Sequence, residues 1–455
     1  EGARLEIGGE RSFDTITTNE NTTLQVNSYL NLSRTDSGTS TIGNLELIML
    51  DGDSGSNSLE IENMNLVVGG TASLDGKQIT INNGDLSFSN PQGTPSFTNS
   101  TSLSVNNGAL SFQGTSSFSN SSSLSVSNGA LSFQGTSSFA SSSLTVSNGE
   151  MILQSGGSFS DTSLNFTSSV FKPSGSVSLT GNSAFNLNDT SSIKLQGATD
   201  LTQSGTVLWP SIDLNGKELT LTVTEMYCCL HQTGGLTIGA GEKIITGASI
   251  FNVDNPLTIK SGGTLTSGSG NVQINGVLTL DGELVQGGGN LNLSGGATVG
   301  ATGKLDIGTG DFNVDSTLTI GSGGTLTSGS GNVQIGGALT LDGELVQGGG
   351  TLNLIGGGGV GAIGKLDMSG AELALGGALN ITGTLAANSS SSWSGWQGTL
   401  DLSSGTLESS GGIINLNDFT TGANTTLELS GDTEISSSND ITFGTLELAG
   451  NKLTL

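Results

Sequence analysis

The residues best suited to metal or redox chemistry lie together in the segment Tyr227-Cys228-Cys229-Leu230-His231. A structural zinc site takes four ligands, commonly from two separated pairs, but the chain contains only these two cysteines and one histidine. Adjacent side chains of a strand point to opposite faces. Cys228 and Cys229 are therefore expected either to lie at a strained turn or to bond to an external partner. We therefore predict no metal and no cofactor. The open alternatives are a vicinal Cys228–Cys229 disulfide at a turn and thiols that bond to a neighbouring subunit.

Carboxylates are the second group that could carry chemistry. Enzymes that cleave acidic polysaccharides need carboxylates on one face, or a basic residue near bound cations. The close pair Asp51 and Asp53 flanks a glycine, which is typical of a turn, and the solitary His231 leaves no catalytic triad. The DGE motifs Asp281–Glu283 and Asp342–Glu344 lack the tandem nine-residue pattern of calcium rolls, so we interpret them as turns. The sequence predicts that the chain is not an enzyme, and a polysaccharide-degrading β-helix is the less favoured alternative.

Two tryptophans, Trp393 and Trp396, lie in a Ser- and Gly-rich segment. Large aromatic side chains are costly to expose, and an exposed pair could form a stacking platform for a sugar ring. The alternative is that both rings fill a wider part of the core. These two residues are the candidate ligand contact.

Composition excludes several classes of protein. Glycine contributes 74 residues, charged residues only 11%, and the formal net charge is -27. Nucleic acid is an improbable partner because phosphate neutralisation needs clustered cations. A hydrophobic fraction of 33% with regular spacing argues against disorder. No window approaches a membrane-spanning length, and we expect a secreted, extracellular or cell-surface chain whose signal peptide has been removed.

Internal repeats decide the fold prediction. In the first half, LSVNNGALSFQGTSSF at Leu103 returns as LSVSNGALSFQGTSSF at Leu124, a step of one coil of about 20 residues. In the second half, LTIKSGGTLTSGSGNVQI at Leu257 returns as LTIGSGGTLTSGSGNVQI at Leu318, 61 positions later, which we interpret as three coils. Short alternating apolar and polar stretches between Gly, Asn and Ser predict short strands separated by tight turns.

These periods predict an all-β parallel β-helix, or β-solenoid, with three short strands per coil; we expect the right-handed form. Apolar residues one coil apart should form ladders inside the coil, and Gly should provide left-handed corners. The predicted core ladder residues are Phe97, Phe118, Phe139, Phe159, Leu257 and Leu318, and the predicted left-handed corner residues are Gly108, Gly129 and Gly149.

Differences in composition and in the regularity of the repeats suggest four segments. Residues 1–80 form irregular N-terminal coils, and residues 81–200 form a Ser- and Phe-rich solenoid. Residues 201–256 interrupt the pattern and contain the adjacent cysteines, and residues 257–455 form a Gly-rich solenoid with the 61-residue superrepeat.

The LTIGSGGTLTSGSGNVQIGGALTLDGELVQGGG and LSVSNGALSFQGTSSF units resemble the repeats of bacterial surface β-helix proteins, namely autotransporter passengers and haemagglutinin-type adhesin stalks. The resemblance implies a right-handed β-helix displayed outside the cell. Two functions follow as hypotheses: a structural subunit that associates with itself, end to end or laterally, in a filament, sheath or layer, and an adhesin stalk that contacts surface glycans.

Overall fold

The computed structural model describes residues 4–12, 22–33, 40–49, 58–74, 76–91, 95–188, 190–203, 207–209, 212–223, 229–368, 370–388, 390–395, 399–415, 419–437 and 440–455. Within these ranges the regular structure consists of β-strands with parallel pairing, and no helix is present that could cross a membrane. The fold is a β-solenoid, as predicted. The chain divides into two compact units, unit 1 (Glu1–Leu230) and unit 2 (His231–Leu455), and the division falls inside the segment 201–256.

Unit 1 is built from strands that become short and regular after its N-terminal part. Its described strands are β1 (Arg4–Ser12), β2 (Thr22–Ser33), β3 (Ser40–Met49), β4 (Ser58–Glu62), β5 (Met64–Ser73), β6 (Gln78–Asn82), β7 (Leu86–Phe88), β8 (Ser96–Phe97), β9 (Ser102–Asn106), β10 (Ala109–Phe112), β11 (Ser116–Ser119), β12 (Ser123–Ser127), β13 (Ala130–Phe133), β14 (Ser137–Ala140), β15 (Ser143–Ser147), β16 (Glu150–Leu153), β17 (Gly157–Ser160), β18 (Ser163–Thr167), β19 (Val170–Pro173), β20 (Gly175–Thr180), β21 (Ala184–Leu187), β22 (Ser192–Lys194), β23 (Thr199–Gln203), β24 (Val207–Trp209), β25 (Ile212–Asp213) and β26 (Glu218–Val223).

Each strand from β8 to β19 pairs with the equivalent strand of the next turn, 20 to 22 residues later. Strand β12, for example, lies between β9 and β15, with Leu124 opposite Leu103 and Leu144. The burial of β12 alternates along the strand, with Leu124 and Val126 inside and the serines outside. A period of two in the sequence therefore separates core from surface in every turn, because successive side chains of a strand point to opposite faces.

The phenylalanines of unit 1 form a continuous stack inside the solenoid. Phe97, Phe118, Phe139 and Phe159 are at most 1% exposed. Their successive ring centroids lie 4.5, 4.5 and 5.1 Å apart, and the rings are nearly parallel. This stacking follows from in-register pairing of identical strands, because the turn spacing of about 4.8 Å is also a favourable ring separation.

A second aromatic column lies beside the first. Phe88, Phe112 and Phe133 stack with centroids 5.0 and 4.9 Å apart. Rings of the two columns meet edge to face, as Phe112 and Phe118 do at 5.7 Å and 89°. Each of these turns therefore adds two phenylalanine rings to a core of leucine and valine side chains.

The predicted role of Gly108, Gly129 and Gly149 at the corners is wrong in one respect. The left-handed residue is the asparagine before each of them, as at Asn128 with φ of 52°, while the three glycines do not have positive φ. Asparagine tolerates this region because its short polar side chain bonds locally.

The glycines are needed for a different reason, which is close approach between turns. A Cβ on Gly129 would lie 1.7 Å from the carbonyl oxygen of Gly108, and one on Gly149 would lie 2.0 Å from that of Gly129. The backbones of successive turns stack too tightly at this corner for any side chain.

Unit 2 contains three strands per turn. Strand β27 (Cys229–Gln232) contains the last residues of unit 1 and the first of unit 2, and the described strands that follow are β28 (Leu236–Ile238), β29 (Lys243–Gly247), β30 (Ile250–Val253), β31 (Leu257–Ile259), β32 (Thr264–Ser267), β33 (Val272–Ile274), β34 (Leu278–Leu280), β35 (Glu283–Gln286), β36 (Leu291–Leu293), β37 (Ala297–Val299), β38 (Lys304–Ile307), β39 (Phe312–Val314), β40 (Leu318–Ile320), β41 (Thr325–Ser328), β42 (Val333–Ile335), β43 (Leu339–Leu341), β44 (Glu344–Gln347), β45 (Thr351–Leu354), β46 (Gly358–Val360), β47 (Lys365–Asp367), β48 (Glu372–Leu375), β49 (Leu379–Ile381), β50 (Thr384–Ala387), β51 (Ser392–Gly395), β52 (Leu400–Asp401), β53 (Thr406–Ser409), β54 (Gly412–Asn415), β55 (Phe419–Thr420), β56 (Thr426–Leu429), β57 (Thr433–Ser436), β58 (Thr445–Glu447) and β59 (Leu453–Thr454).

Three ladders of parallel strands run through unit 2. We number them 1 to 3 in the order in which their first strands, β28, β29 and β30, occur in the chain. Ladder 1 contains every third strand from β28 to β55, ladder 2 runs from β29 through β56 to β58, and ladder 3 runs from β30 to β51.

The 61-residue superrepeat corresponds to three turns of this solenoid. In ladder 1, Leu257 pairs with Leu278, then Ala297, then Leu318. The nine strands β31–β39 fill that interval, so the predicted three strands per turn are correct. Leu257 and Leu318 are each 0% exposed and belong to the aliphatic core of unit 2.

Candidate functional site

The segment with the adjacent cysteines lies largely outside the described residues, so no site can be built from it. Cys228 and Tyr227 lie outside the described residues, as do Asp51 and Asp53, and of Cys229 only the backbone at the start of β27 is described. Both alternatives for this pair, a vicinal Cys228–Cys229 disulfide and thiols that bond to a neighbouring subunit, therefore stay predictions.

Of the two tryptophans, Trp396 lies outside the described residues, whereas Trp393 lies on β51. Trp393 pairs with Leu373 of β48, which is 1% exposed and belongs to the inward column of ladder 3. The ring of Trp393 is half-buried. Its register is that of a core residue, so the structure places Trp393 in line with the core column and not on an outward row.

The DGE motifs form corners between ladders 1 and 2. The carboxylate of Asp281 covers Gly300 of the next turn, where a Cβ would lie 1.9 Å from Oδ1, and Asp342 covers Gly361 in the same way. The hydroxyl of Thr302 donates to the carbonyl oxygen of Asp281 at 2.6 Å. These contacts give the motif a turn role. Across the described ranges, no group of three or more His, Cys, Asp or Glu side chains is placed to hold a metal ion.

The last turn of unit 2 has uncovered core residues. Leu446 of β58 lies in register with Leu427 and Leu407, which are 0% and 1% exposed, yet Leu446 itself is 48% exposed. Leu448 and Leu455 are 38% and 83% exposed. Leu446 therefore occupies a core register in the last described turn of unit 2, and we call the side of this turn that faces away from β56 and β57 the open face.

Two outward faces of unit 2 are uncharged over many turns. The threonine face is the outward row of ladder 1, with Thr237, Thr258, Thr279, Thr298, Thr319 and Thr340 in register. The amide face is the outward row of ladder 3, with Asn252, Gln273, Asn292, Asn313, Gln334 and Asn353 in register. The threonine row repeats with every turn, whereas the amide row repeats Asn-Gln-Asn every three turns.

The third outward face, on ladder 2, is charged and repeats every three turns. We call it the charged face; its first outward row, from β32 to β47, contains Thr264, Glu283, Lys304, Thr325, Glu344 and Lys365. Among its contacts, the Lys365 ammonium lies 4.0 Å from Asp367 and 3.7 Å from Glu408. On this face the 61-residue superrepeat appears as a repeat of charge, Thr-Glu-Lys, every three turns.

Among the residues that the structure describes, two carboxylates have lowered pKa values. A hydrogen bond from Lys194 lowers the pKa of Asp213, whose Oδ2 lies 2.8 Å from the Lys194 ammonium, and the backbone N–H of Asn215 adds to the effect. The backbone N–H and hydroxyl of Ser403 lower the pKa of Asp401. A general acid needs the opposite shift.

Some buried polar residues are not apparent from the alternating pattern. Gln286 and Gln347 are 0% exposed, and each donates its side-chain amide to a glycine carbonyl, of Gly270 at 2.6 Å and of Gly331 at 2.8 Å respectively. Each side chain closes a Gly-rich corner from inside. The only signal in the sequence is the recurrence of Gln at the same place in both superrepeats.

Comparison with known proteins gives no relative: no family model matches the chain, and no curated protein has a significantly similar sequence.

Proposed function

We propose that this chain is a non-enzymatic, extracellular structural protein whose copies associate end to end through the open face of the last turn of unit 2. It would act as a subunit of a surface filament, sheath or layer, or as an adhesin stalk. The stacking of like residues from turn to turn, as in the pairing of Leu257 with Leu278, supports this proposal, because a second copy offers strands of the same spacing.

An uncovered turn of a solenoid has two properties that favour association. Its strands have backbone N–H and C=O groups without partners on one side, and its core side chains lie in water. Burying Leu446 and Leu455 under another turn would remove apolar surface from water, at about 25 cal/mol for each Å². A second copy offers strands of matching spacing, so that pairing continues across the junction.

The structural role rests also on the distribution of ionisable groups. The carboxylates of the described turns are dispersed over corners and strands of both units, and the two shifted pKa values, at Asp213 and Asp401, are lowered. Catalysis by acid and base would need paired groups with pKa values moved apart. The repeated stacking of like residues is what a long, rigid scaffold requires.

The adhesin with a glycan site at Trp393 and Trp396 is the second candidate. The half-buried ring of Trp393 is the observation that favours it, but its register with buried Leu373 weakens it. Saturable glycan binding that is lost in Trp393→Ala, with the strand content unchanged, would support this candidate over a purely structural subunit.

The direct test of end-to-end association is the double variant Leu446→Lys/Leu455→Lys. Two cations in the open face cannot be buried without loss of hydration. At high ionic strength, where contacts between surface charges are screened, we therefore expect the variant to remain monomeric where the unaltered protein forms larger species with rising concentration. Sedimentation velocity measures this difference, and far-ultraviolet circular dichroism checks that the strands persist.

The matched control is Ile363→Lys. Ile363 is 70% exposed but lies at a corner of unit 2 away from the open face, so the variant should associate like the unaltered protein. The proposal fails if the unaltered protein stays monomeric at every concentration, or if residues that follow Leu455 in native material already cover these leucines.

A further inference from the structure

The charged face of unit 2 has a pattern that is complementary to itself. We propose that two copies of this chain pack laterally and antiparallel through their charged faces, with a two-fold axis passing through Thr325 and Thr327 on β41. This inference rests on the proposed function, because it specifies how copies of a structural subunit meet side by side in addition to end to end.

The first outward row provides the complementarity. Along the turns from β32 to β47 the order is Thr, Glu, Lys, Thr, Glu, Lys, and Glu283 and Lys304 are among its most exposed members. The five members centred on Thr325 run Glu, Lys, Thr, Glu, Lys, and reversal of this order places a lysine opposite each glutamate. A symmetric pair of identical surfaces can therefore satisfy every charge in the row.

A two-fold axis along the strand direction fixes the partners. It places Glu283 opposite Lys365 of the second copy and Lys304 opposite Glu344 of the second copy. Thr325 lies on the axis and faces its own equivalent. Each pairing occurs twice because of the symmetry, which gives four pairs of opposite charge in one interface.

The second outward row is compatible with this register. In it Val285 faces Asp367 of the second copy, Asp306 faces Val346, and Thr327 faces its own equivalent on the axis. No two like charges oppose each other in either row, and the threonines at the centre are small enough for the two sheets to approach.

Other registers are disfavoured by charge. A shift of one turn in one direction places Glu283 opposite Glu344, and in the other direction it places Lys304 opposite Lys365. Only a shift of three turns restores the match, which gives the 61-residue period a physical role. The threonine face repeats with every turn and cannot select a register, and the amide face has no charges that would disfavour one.

A second copy is the partner that fits this face, for two reasons. Its turns have the same spacing as those of the first, so a match at one turn recurs along the whole row. The chain has a net charge of -27, so copies repel each other unless they meet where cations and anions alternate. The Lys365 contacts to Asp367 and Glu408, at 4.0 and 3.7 Å, are long enough to give way to a new partner.

Exposed ion pairs contribute little individually, and their main effect is on specificity and on the association rate. We therefore expect a weak lateral dimer that dissociates as ionic strength rises, because the Debye length falls from about 30 Å at 0.01 M salt to about 8 Å at 0.15 M.

The test is a charge exchange between two variants. Glu283→Lys/Glu344→Lys makes the row entirely cationic, and Lys304→Glu/Lys365→Glu makes it entirely anionic. Both variants carry Leu446→Lys/Leu455→Lys as background, so that end-to-end contacts do not contribute. In sedimentation at low salt we expect the background protein to dimerise, each variant alone to lose at least tenfold in association, and the mixture of the two variants to recover it.

The outcomes separate this inference from the proposed function. A monomeric background protein, or variants that dimerise as well as it does, would overturn the lateral pairing whatever happens at the open face. Recovery in the mixture is the decisive result, because misfolded variants would not recover.

The register has its own measurement. Cysteines introduced at Thr327 in a chain with Cys228→Ser/Cys229→Ser should be joined between copies by a short bis-maleimide, since facing sheets lie about 10 Å apart. The matched control is Thr340→Cys, which lies on the threonine face and should not be joined. Equal crosslinking of the two would refute the assigned face.

Discussion

Units 1 and 2 form the same type of coil with different chemistry at the corners and in the core. The turns of unit 1 have asparagines at left-handed corners, and their side-chain amides form a chain: Asn128 donates to Asn107 at 2.9 Å and accepts from Asn148 at 3.2 Å. The comparable corners of unit 2 are rich in glycine, with positive φ at residues such as Gly262 and Gly323.

The cores differ as well. Unit 1 fills its narrow interior with two columns of phenylalanine rings, whereas unit 2 uses mainly leucine, isoleucine and valine with a few buried amides such as Gln347. The solenoid fold therefore requires a regular spacing of strands and alternation of apolar and polar residues. The type of apolar residue can differ between the units, as long as like residues stack on each other in successive turns.

The largest expected effect is on the aromatic core. Phe118→Ala removes a ring that stacks on Phe97 and Phe139 at 4.5 Å each, and the cavity should destabilise the neighbouring turns by about 3–5 kcal/mol. Because solenoid stability is local, the measurement is hydrogen exchange of the backbone between residues 97 and 160.

The matched change in unit 2 is Leu326→Ala, at a residue that is 0% exposed. It should cost about 2–5 kcal/mol and speed exchange around β41, while leaving the turns of unit 1 protected. Equal effects of the two variants on distant turns would contradict the view that each turn depends mainly on its neighbours.

The next effect concerns the stacked glycines. Gly129→Ala should destabilise its corner by about 2–4 kcal/mol, because the new Cβ would lie 1.7 Å from the Gly108 carbonyl oxygen and rigid backbone must move. Gly359→Ala is the control, since its Cβ would meet its nearest atom at 3.6 Å. Thermal unfolding of both variants measures the difference, and a neutral Gly129→Ala would show that turns at this corner can separate.

Most of the fold is encoded in local periods and can be predicted. Alternation identifies which residues of β12 point inwards, and the 20-residue and 61-residue returns identify which turns stack. Equivalent phenylalanines such as Phe97 and Phe118 then fall on one column without any further information, because in-register pairing places like residues above each other.

Features that depend on contacts between turns are harder to predict. The Asn-Gly pairs announce a tight corner, but only the position of the neighbouring turn shows that Asn128 has the left-handed backbone and that Gly129 provides the close approach. Trp393 resembles an exposed loop residue in the sequence, and its register with Leu373 becomes visible only once β48 and β51 are paired. The charged face likewise emerges only after every third strand is assigned to ladder 2.

A smaller effect is expected from the asparagine chain of unit 1. Asn128→Gly keeps a residue suited to the left-handed corner and loses only exposed side-chain hydrogen bonds, which should cost about 0.5–1.5 kcal/mol. Asn128→Ala loses the same bonds and adds left-handed strain of about 1–2 kcal/mol. The difference between the two variants in hydrogen exchange of β12 and β15 isolates the backbone contribution. Identical behaviour would mean that the corner relaxes out of its left-handed conformation.

The smallest effect is electrostatic and distinguishes a carboxylate of unit 1 from one of unit 2. The pKa of Asp213 is lowered mainly by the Lys194 side chain, and that of Asp401 mainly by the backbone N–H of Ser403. A carboxylate whose pKa is lower in the folded than in the unfolded state stabilises the fold at pH values above the unfolded-state pKa. This contribution is lost as the pH falls through the folded-state pKa, hence below about pH 4. Lys194→Met should therefore raise the pKa of Asp213 and leave that of Asp401 unchanged, as measured by carboxyl-carbon magnetic resonance.

High salt should also raise the pKa of Asp213 alone, but by less than the substitution does, since the Lys194 contact is exposed to solvent. A shift of both carboxylates would show that their environments are not independent.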